Sequence, residues 1–347
     1  MLRLSTVPSL LLTGASRTAI GYSQMRLVEA QKELGSGRHH DVGLVLGART
    51  GSSIALRMKL EEINQLGEQA AQAGIKAEVV QSALGSMGNL AKQFLSTLSG
   101  ARGAAGGQEL VRNAAQSALE AFTSLINTSY DGQYLFGGIN TDEPPLAKFE
   151  SGAPQLAMDT AFQVAFGMAP SDAGVRQISG SDMAAFIDTG LADIFSSSRW
   201  SADWSQASAT NLRHRAGDSV QVDISSNANA AFVSKLAQAF SMMTGLGQGS
   251  LSQAAFEQTV DKAVKLLSEA QLNMGDEQSR IGIAQQTLSL AAQSSERMKV
   301  STTEAIDVLE SVDPYAAGMR VNMLMTQLES SYAVAGRISR MSLLNYI

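Results

Sequence analysis

The chain has 347 residues, a formal charge of −6, 44% apolar residues and only 5% aromatic ones. No Lys/Arg run forms the basic footprint of a nucleic-acid binder. With no cysteine there can be no disulfide, thiolate metal site or Cys nucleophile.

No stretch nears the ~20 apolar residues that cross a bilayer, so membrane insertion is not expected. Met1–Gly14 carries Arg3 and the short Leu10–Leu12 run, without the longer apolar segment and cleavage site of a Sec signal. If extracellular, such a protein would leave by another route.

In chain order, Ile20, Leu27 and Leu34 recur seven apart, with Gln24 and Gln31 on the paired positions, the pattern of a helix seam facing a neighbour. His39–His40–Asp41 groups metal-ligand residue types. Adjacent side chains diverge by about 100° on a helix and point to opposite faces on a strand, so a polar loop closing the first helix is the simpler reading. From Ile63, every position stepped alternately by three and four is apolar: Leu66, Ala70, Ala73, Ala77, Val80, Leu84, Met87, Ala91, Phe94, Leu98. This predicts a long Pro-free helix. Gly100–Gly107 lacks the Gly-Lys-Ser/Thr of a phosphate loop and reads as a connection between helices. A shorter seam follows at Val111, Ala114, Ala118, Ala121 and Leu125.

The middle, about 139–250, differs. It holds Pro144–Pro145, both tryptophans (Trp200, Trp204), helical patterns at Asp182–Phe195 and Ala228–Thr244, and a strand-like alternation at Ser219–Ile224. His214, between Arg213 and Arg215, has no nucleophile motif around it. Asp182, Asp188 and Asp193 read as solvated carboxylates on an amphipathic helix, since paired acid–base chemistry requires a cleft. No metal, cofactor or catalytic residue is assigned.

A second long seam runs from Val260 through Leu267, Met274, Ile281, Leu288 and Met298 to Val312, interrupted by Glu277, Ser295 and Thr302. It implies a helix of roughly 80 Å. Asp313–Pro314 stops it, and a fresh helix of about 30 residues follows, with its seam at Val321, Leu324, Leu328, Ser331, Ala335 and Ile338. The Met residues there (Met319, Met323, Met325, Met341) read as helix-packing residues.

These elements predict a mainly α fold: an elongated helical bundle with coiled-coil terminal helices and a small mixed α/β insert. The expected segments are an N-terminal assembly helix and loop (1–48), two halves of a helical bundle (49–138 and 251–312), the outer insert (139–250) and a C-terminal assembly helix (313–347). Both termini return to one end. Segments 15–34 and 316–347 would stay frayed alone and order on assembly.

Three stretches carry a family resemblance. Gln24-x-x-Leu27-x-x-x-Gln31-x-x-Leu34-x-Ser36-Gly37-Arg38 resembles the opening helix of the flagellin superfamily. Gly132-Gln133-Tyr134-Leu135-Phe136-Gly137-Gly138 resembles a segment of the hook-associated protein 3 family, the hook–filament junction proteins. Arg337-Ile338-Ser339-Arg340-Met341-Ser342-Leu343-Leu344-Asn345-Tyr346-Ile347 resembles that family's ending. His39–His40–Asp41 departs from the family's usual Asp-Asp-Pro-Ala, which touches the loop and not the helices.

The resemblance implies a structural subunit of the bacterial flagellum, extracellular and exported unfolded by the flagellar type III apparatus. Its implied partners are identical subunits in a ring, hook-associated protein 1, flagellin, and an export chaperone for the C-terminal helix. The assembly residues expected are Ile20, Leu27, Leu34, Val321, Leu324, Leu328, Ile338, Leu343 and Leu344. A filament flagellin is the nearest alternative reading. A cytoplasmic coiled-coil scaffold and an enzyme with its site in the insert are more distant ones.

Overall fold

The computed structural model describes residues 9–104, 106–217, 221–246 and 251–344, with side chains between 14 and 337. Its elements are α1 (Ser9–Ser36), α2 (Val42–Leu46), α3 (Thr50–Ala101), α4 (Gly107–Ile126), β1 (Ser129–Tyr130), β2 (Gln133–Tyr134), α5 (Ala153–Phe166), α6 (Gly180–Phe186), α7 (Ala192–Ile194), α8 (Ser197–Arg199), β3 (Arg213–Arg215), β4 (Gln221–Asp223), α9 (Ala231–Gly245), α10 (Gln253–Glu310) and α11 (Pro314–Leu344). π-helical turns at Ile187–Leu191 and Trp200–Trp204 follow α6 and α8. The two short sheets, β1–β2 and β3–β4, are antiparallel hairpins. The fold is therefore mainly helical, as the seams predict.

The chain forms two compact units, one of residues 65–295 and one of 1–64 with 296–347. In the first, α3 and α10 run antiparallel. A Cβ on Gly88 would lie 3.6 Å from Met274 Cε, and one on Gly67 would lie 3.7 Å from Ser295 Cβ, so small residues permit the close approach. From Ala70 to Leu98 all the expected seam residues are buried, as are Val260, Ala263, Leu267, Ala270, Met274, Ile281, Ala284 and Leu288. One continuous hydrophobic core joins these helices to α4, α5 and α9. Phe240 of α9 meets Phe94 of α3 at 5.3 Å and Phe122 of α4 at 5.8 Å. In the middle region, Trp200 and Trp204 stack 12° from parallel, beside Phe195, and Phe149 stacks on Trp204.

Several expectations need correction. In α4 the buried face is Val111, Ala115, Ala118, Leu119, Phe122 and Ile126, while Ala121 is exposed. Placing Leu119, Phe122 and Ile126 inward removes more apolar area from water than the alanine-rich stripe would. Met298, expected on the α10 seam, is exposed; beyond Ala291 only Ile306 and Glu310 of that helix are buried. His214 lies within β3, a strand the sequence pattern did not mark, and pairs with Val222. Ser219 and Val220 of the expected strand lie outside the described residues.

The Gly-rich stretch is the expected α3–α4 connection. A Cβ on Gly107 would stand 2.1 Å from the Ala101 carbonyl oxygen, so only glycine fits this tight turn.

Candidate assembly interface

The terminal helices form the candidate site. Asp313 caps α11, its Oδ1 accepting the Tyr315 amide at 2.9 Å, and Pro314 takes the first helical position, where a missing N–H costs nothing. The contacts Glu33–Arg320 and Gln24–Tyr332 fix α1 antiparallel to α11. Between the helices, Ala30, Val321 and Leu324 are buried, with Leu27 packed against them. Ile20 and Leu328 are half-buried along the same seam, as are Ser331 and Ala335.

From Val321 to Ala335 the expected α11 seam is thus the observed one. On α1 it is displaced: Ser23, Ala30 and Glu33 are buried between the apolar positions, whereas Gln24 and Gln31 are exposed. Gln24 still donates from Nε2 to Tyr332 Oη at 2.6 Å, at the edge of the seam. Leu34 is 43% exposed. Ile338, Leu343 and Leu344 fall outside the residues whose side chains are described.

The pair leaves a second apolar face uncovered. Tyr22, Met25 and Val28 of α1 and Tyr315, Met319 and Met323 of α11 are exposed, as are Leu44 and Val45 of α2. A groove of about 470 Å³ opens among Arg26, Ala30, Glu33, Leu44, Met323 and Leu324, lined by apolar and charged side chains together. Sequence periodicity pointed to the inward seam and passed over this outward face. Its signal was the recurrence of Tyr315, Met319 and Met323 every four residues.

At the base of the pair the chain crosses itself. The Val312 amide donates to the Gly37 carbonyl at 2.9 Å, and the His39 amide donates to the Glu310 carbonyl at 3.0 Å. The Glu310 carboxylate is fully buried. Its Oε1 accepts from Ser53 Oγ at 2.5 Å and Arg57 Nε at 2.8 Å, and its Oε2 from Arg57 Nη2. Arg38 lies 3.6 Å away. The hydrogen-bonded Arg57 guanidinium, helped by Ser53, holds the Glu310 pKa at about 2 against the burial that would raise it. Glu33, also buried, accepts from Arg320 Nη1 at 3.0 Å and from the His40 amide at 3.1 Å.

The remaining candidates read as structure. Asp41 caps α2 through the Leu44 amide at 2.8 Å, so the His39–His40–Asp41 stretch is the polar loop expected after α1. Asp182, Asp188 and Asp193 are exposed; Asp182 accepts from Ser179 Oγ and Asp188 pairs with Lys262. Burial, with Lys76 nearby, pushes the His214 pKa down. Among the described residues no three His, Cys, Asp or Glu side chains gather as a metal site, and no described helix is long and apolar enough to cross a membrane.

The Tyr134–Gly138 stretch ties the middle region to the bundle. Leu135 and Phe136 are buried, Phe136 O accepts the Ala228 amide at 2.9 Å, and Gly137 O accepts the Ser208 amide at 3.0 Å. Gly138 has φ +63°, and a Cβ there would stand 2.5 Å from Thr210 O.

Comparison with known proteins places these helices. Residues 8–141 match the bacterial flagellin N-terminal helical region, and residues 259–347 match the bacterial flagellin C-terminal helical region. A solved structure, described as a flagellar hook-associated protein from Vibrio parahaemolyticus, aligns over 75% of this chain and 96% of that one, with a TM-score of 0.51. At 11% identity the likeness is one of fold. No curated protein matches the chain. The two family matches together span nearly two thirds of the sequence, and they meet in the α1–α11 and α3–α10 pairs described above. The chain belongs to the flagellin superfamily and is a structural subunit of the bacterial flagellum, an extracellular appendage.

Proposed function

We propose that this subunit joins hook-associated protein 1 to the flagellin filament, as one member of a ring of identical copies. The observation that supports assembly through the ends is the uncovered apolar face of Tyr22, Met25, Tyr315, Met319 and Met323. The α1–α11 pair buries only a narrow seam, too little to hold two long helices firmly by itself. A neighbouring subunit covering the outward face supplies the missing apolar burial.

In this reading 1–48 and 313–347 are the assembly segments, 49–138 and 251–312 the bundle halves, and 139–250 the outer insert. Leu27, Val321, Leu324 and Leu328 then act through the pairing of α1 with α11. Ile20 and Leu34 sit at the margins of that pair, with Ile338, Leu343 and Leu344 extending the C-terminal helix. Before export by the type III apparatus, a chaperone sequesters the C-terminal helix.

The junction role rests on the Tyr134–Gly138 segment and the Arg337–Ile347 ending, which resemble hook-associated protein 3 more than filament flagellin. Seeded polymerisation tests it. Purified subunit offered to filament fragments is expected to add at most a short cap. Long filaments grown from this chain alone would make it a filament flagellin.

A further inference from the structure

The α1–α11 seam specifies which faces meet but not how far along they meet. On α11 the inward positions Ala317, Val321, Leu324, Leu328, Ser331 and Ala335 repeat at intervals of three and four, and all are small or aliphatic. Sliding α11 along α1 by seven residues would bring similar side chains back into contact. Something other than the seam must choose among these registers.

Two buried carboxylates stand where that choice is made. Glu310 closes α10 and is tied to α3 by Ser53 and Arg57, while its backbone carbonyl holds the turn after α1 through His39. Arg38 in the same turn reaches Asp307 at 2.8 Å and Glu310 at 3.6 Å. Seven residues before His40, Glu33 grips Arg320 of α11 and the His40 amide together. Sliding α11 by a heptad would carry Arg320 away from Glu33 and leave that buried carboxylate with the His40 amide alone, and it would pull on the Val312–Gly37 backbone bond at the base of the pair. A buried carboxylate that loses its ion partner costs more than the seam gains.

We propose that Glu33 and Glu310 form a clasp in which Glu33, through Arg320, sets the register of α1 against α11, and Glu310 anchors the base of that pair to the start of α3. Buried polar groups fixing register at a cost in stability are the best-attested use of such pairs. The assignment does not depend on which flagellar subunit the chain is.

The absence of native cysteines makes the test direct. A Gln24→Cys/Tyr332→Cys pair, bridged by a short thiol-reactive linker, reports the observed register, since the tips of the native side chains meet across the two helices at 2.6 Å. A Gln24→Cys/Met325→Cys pair reports a slide of seven residues. With the clasp intact, the first pair is expected to cross-link and the second not. Adding Glu310→Gln and Glu33→Gln is expected to cut the first cross-link at least ~10-fold.

The near-ultraviolet circular dichroism of the stacked Trp200–Trp204 pair should persist, marking residues 65–295 as folded. Unchanged Gln24→Cys/Tyr332→Cys cross-linking in the clasp variant would overturn the proposal. Loss of the tryptophan signal would equally overturn it, by making the carboxylates general stability groups. Arg320→Gln alone, which leaves Glu310 paired, provides a milder second variant and should move the cross-link in the same direction.

Discussion

Residues 65–295 bury rings: Phe122, Phe136, Phe162, Phe232, Phe240 and Trp204 are all enclosed. In the unit of 1–64 with 296–347, the described aromatics Tyr22, Tyr315 and Tyr332 are all exposed, and the interior instead includes Ser23, Glu33, Ser53 and Glu310. The first unit is held by dispersion and apolar area, which need no partner outside it. The second combines a thin seam with buried charge. Such pairs orient segments more than they stabilise them, so this unit is suited to completion by a neighbour.

Substitutions aimed at each unit separate the two cases. The largest effect is expected from Phe240→Ala, which empties a fully buried site between Phe94 and Phe122. It should lower stability by about 3–5 kcal/mol, read as a shifted urea midpoint with tryptophan fluorescence as the probe. A shift below about 1 kcal/mol would mean the core of 65–295 is less tightly packed than its rings indicate.

Next is the acid response of Glu310. Its folded pKa, about 2, lies below the ordinary 4.5, so its stabilisation is present above pH 4.5 and is lost as pH falls towards 2. The amount is about 3 kcal/mol, and it should appear as falling amide protection factors in α1 and α11 as acid is added. Glu310→Gln should remove this acid step. A variant that keeps the wild-type pH profile would show that another group carries it.

Leu328→Asp is expected to weaken the helix pairing by about 1–3 kcal/mol and to block incorporation into the flagellum, with residues 65–295 still folded. Motility and filament assembly at wild-type levels would contradict that. The smallest effect is expected from Arg102→Ala. Its 2.7 Å pair with Asp261 is half-exposed on both sides and should contribute under ~1 kcal/mol, measurable only in the urea midpoint.

Much of the fold was legible because helix period and proline placement are local signals. The seams from Ala70 to Leu98 and from Val260 to Leu288 followed from spacing alone, and Asp313–Pro314 marked a helix boundary that the capping geometry explains. Where spacing failed, two stripes were both plausible. In α4 the alanine stripe and the Leu119–Phe122–Ile126 stripe lie side by side, and larger side chains won. On α1, Gln24 and Gln31 fit the heptad as well as Ser23 and Ala30, yet it is the smaller pair that turns inward.

The sequence by itself determined the long helices, their stops and the flagellin superfamily, since backbone propensity, apolar period and terminal motifs are written residue by residue. Tertiary structure alone decided which stripe turns inward, and it brought Arg57 to Glu310 and Arg320 to Glu33 across more than two hundred residues of chain. The physical reason is that burial and charge pairing depend on neighbours supplied by distant segments. A carboxylate such as Glu310 reads as one more polar residue until the fold encloses it.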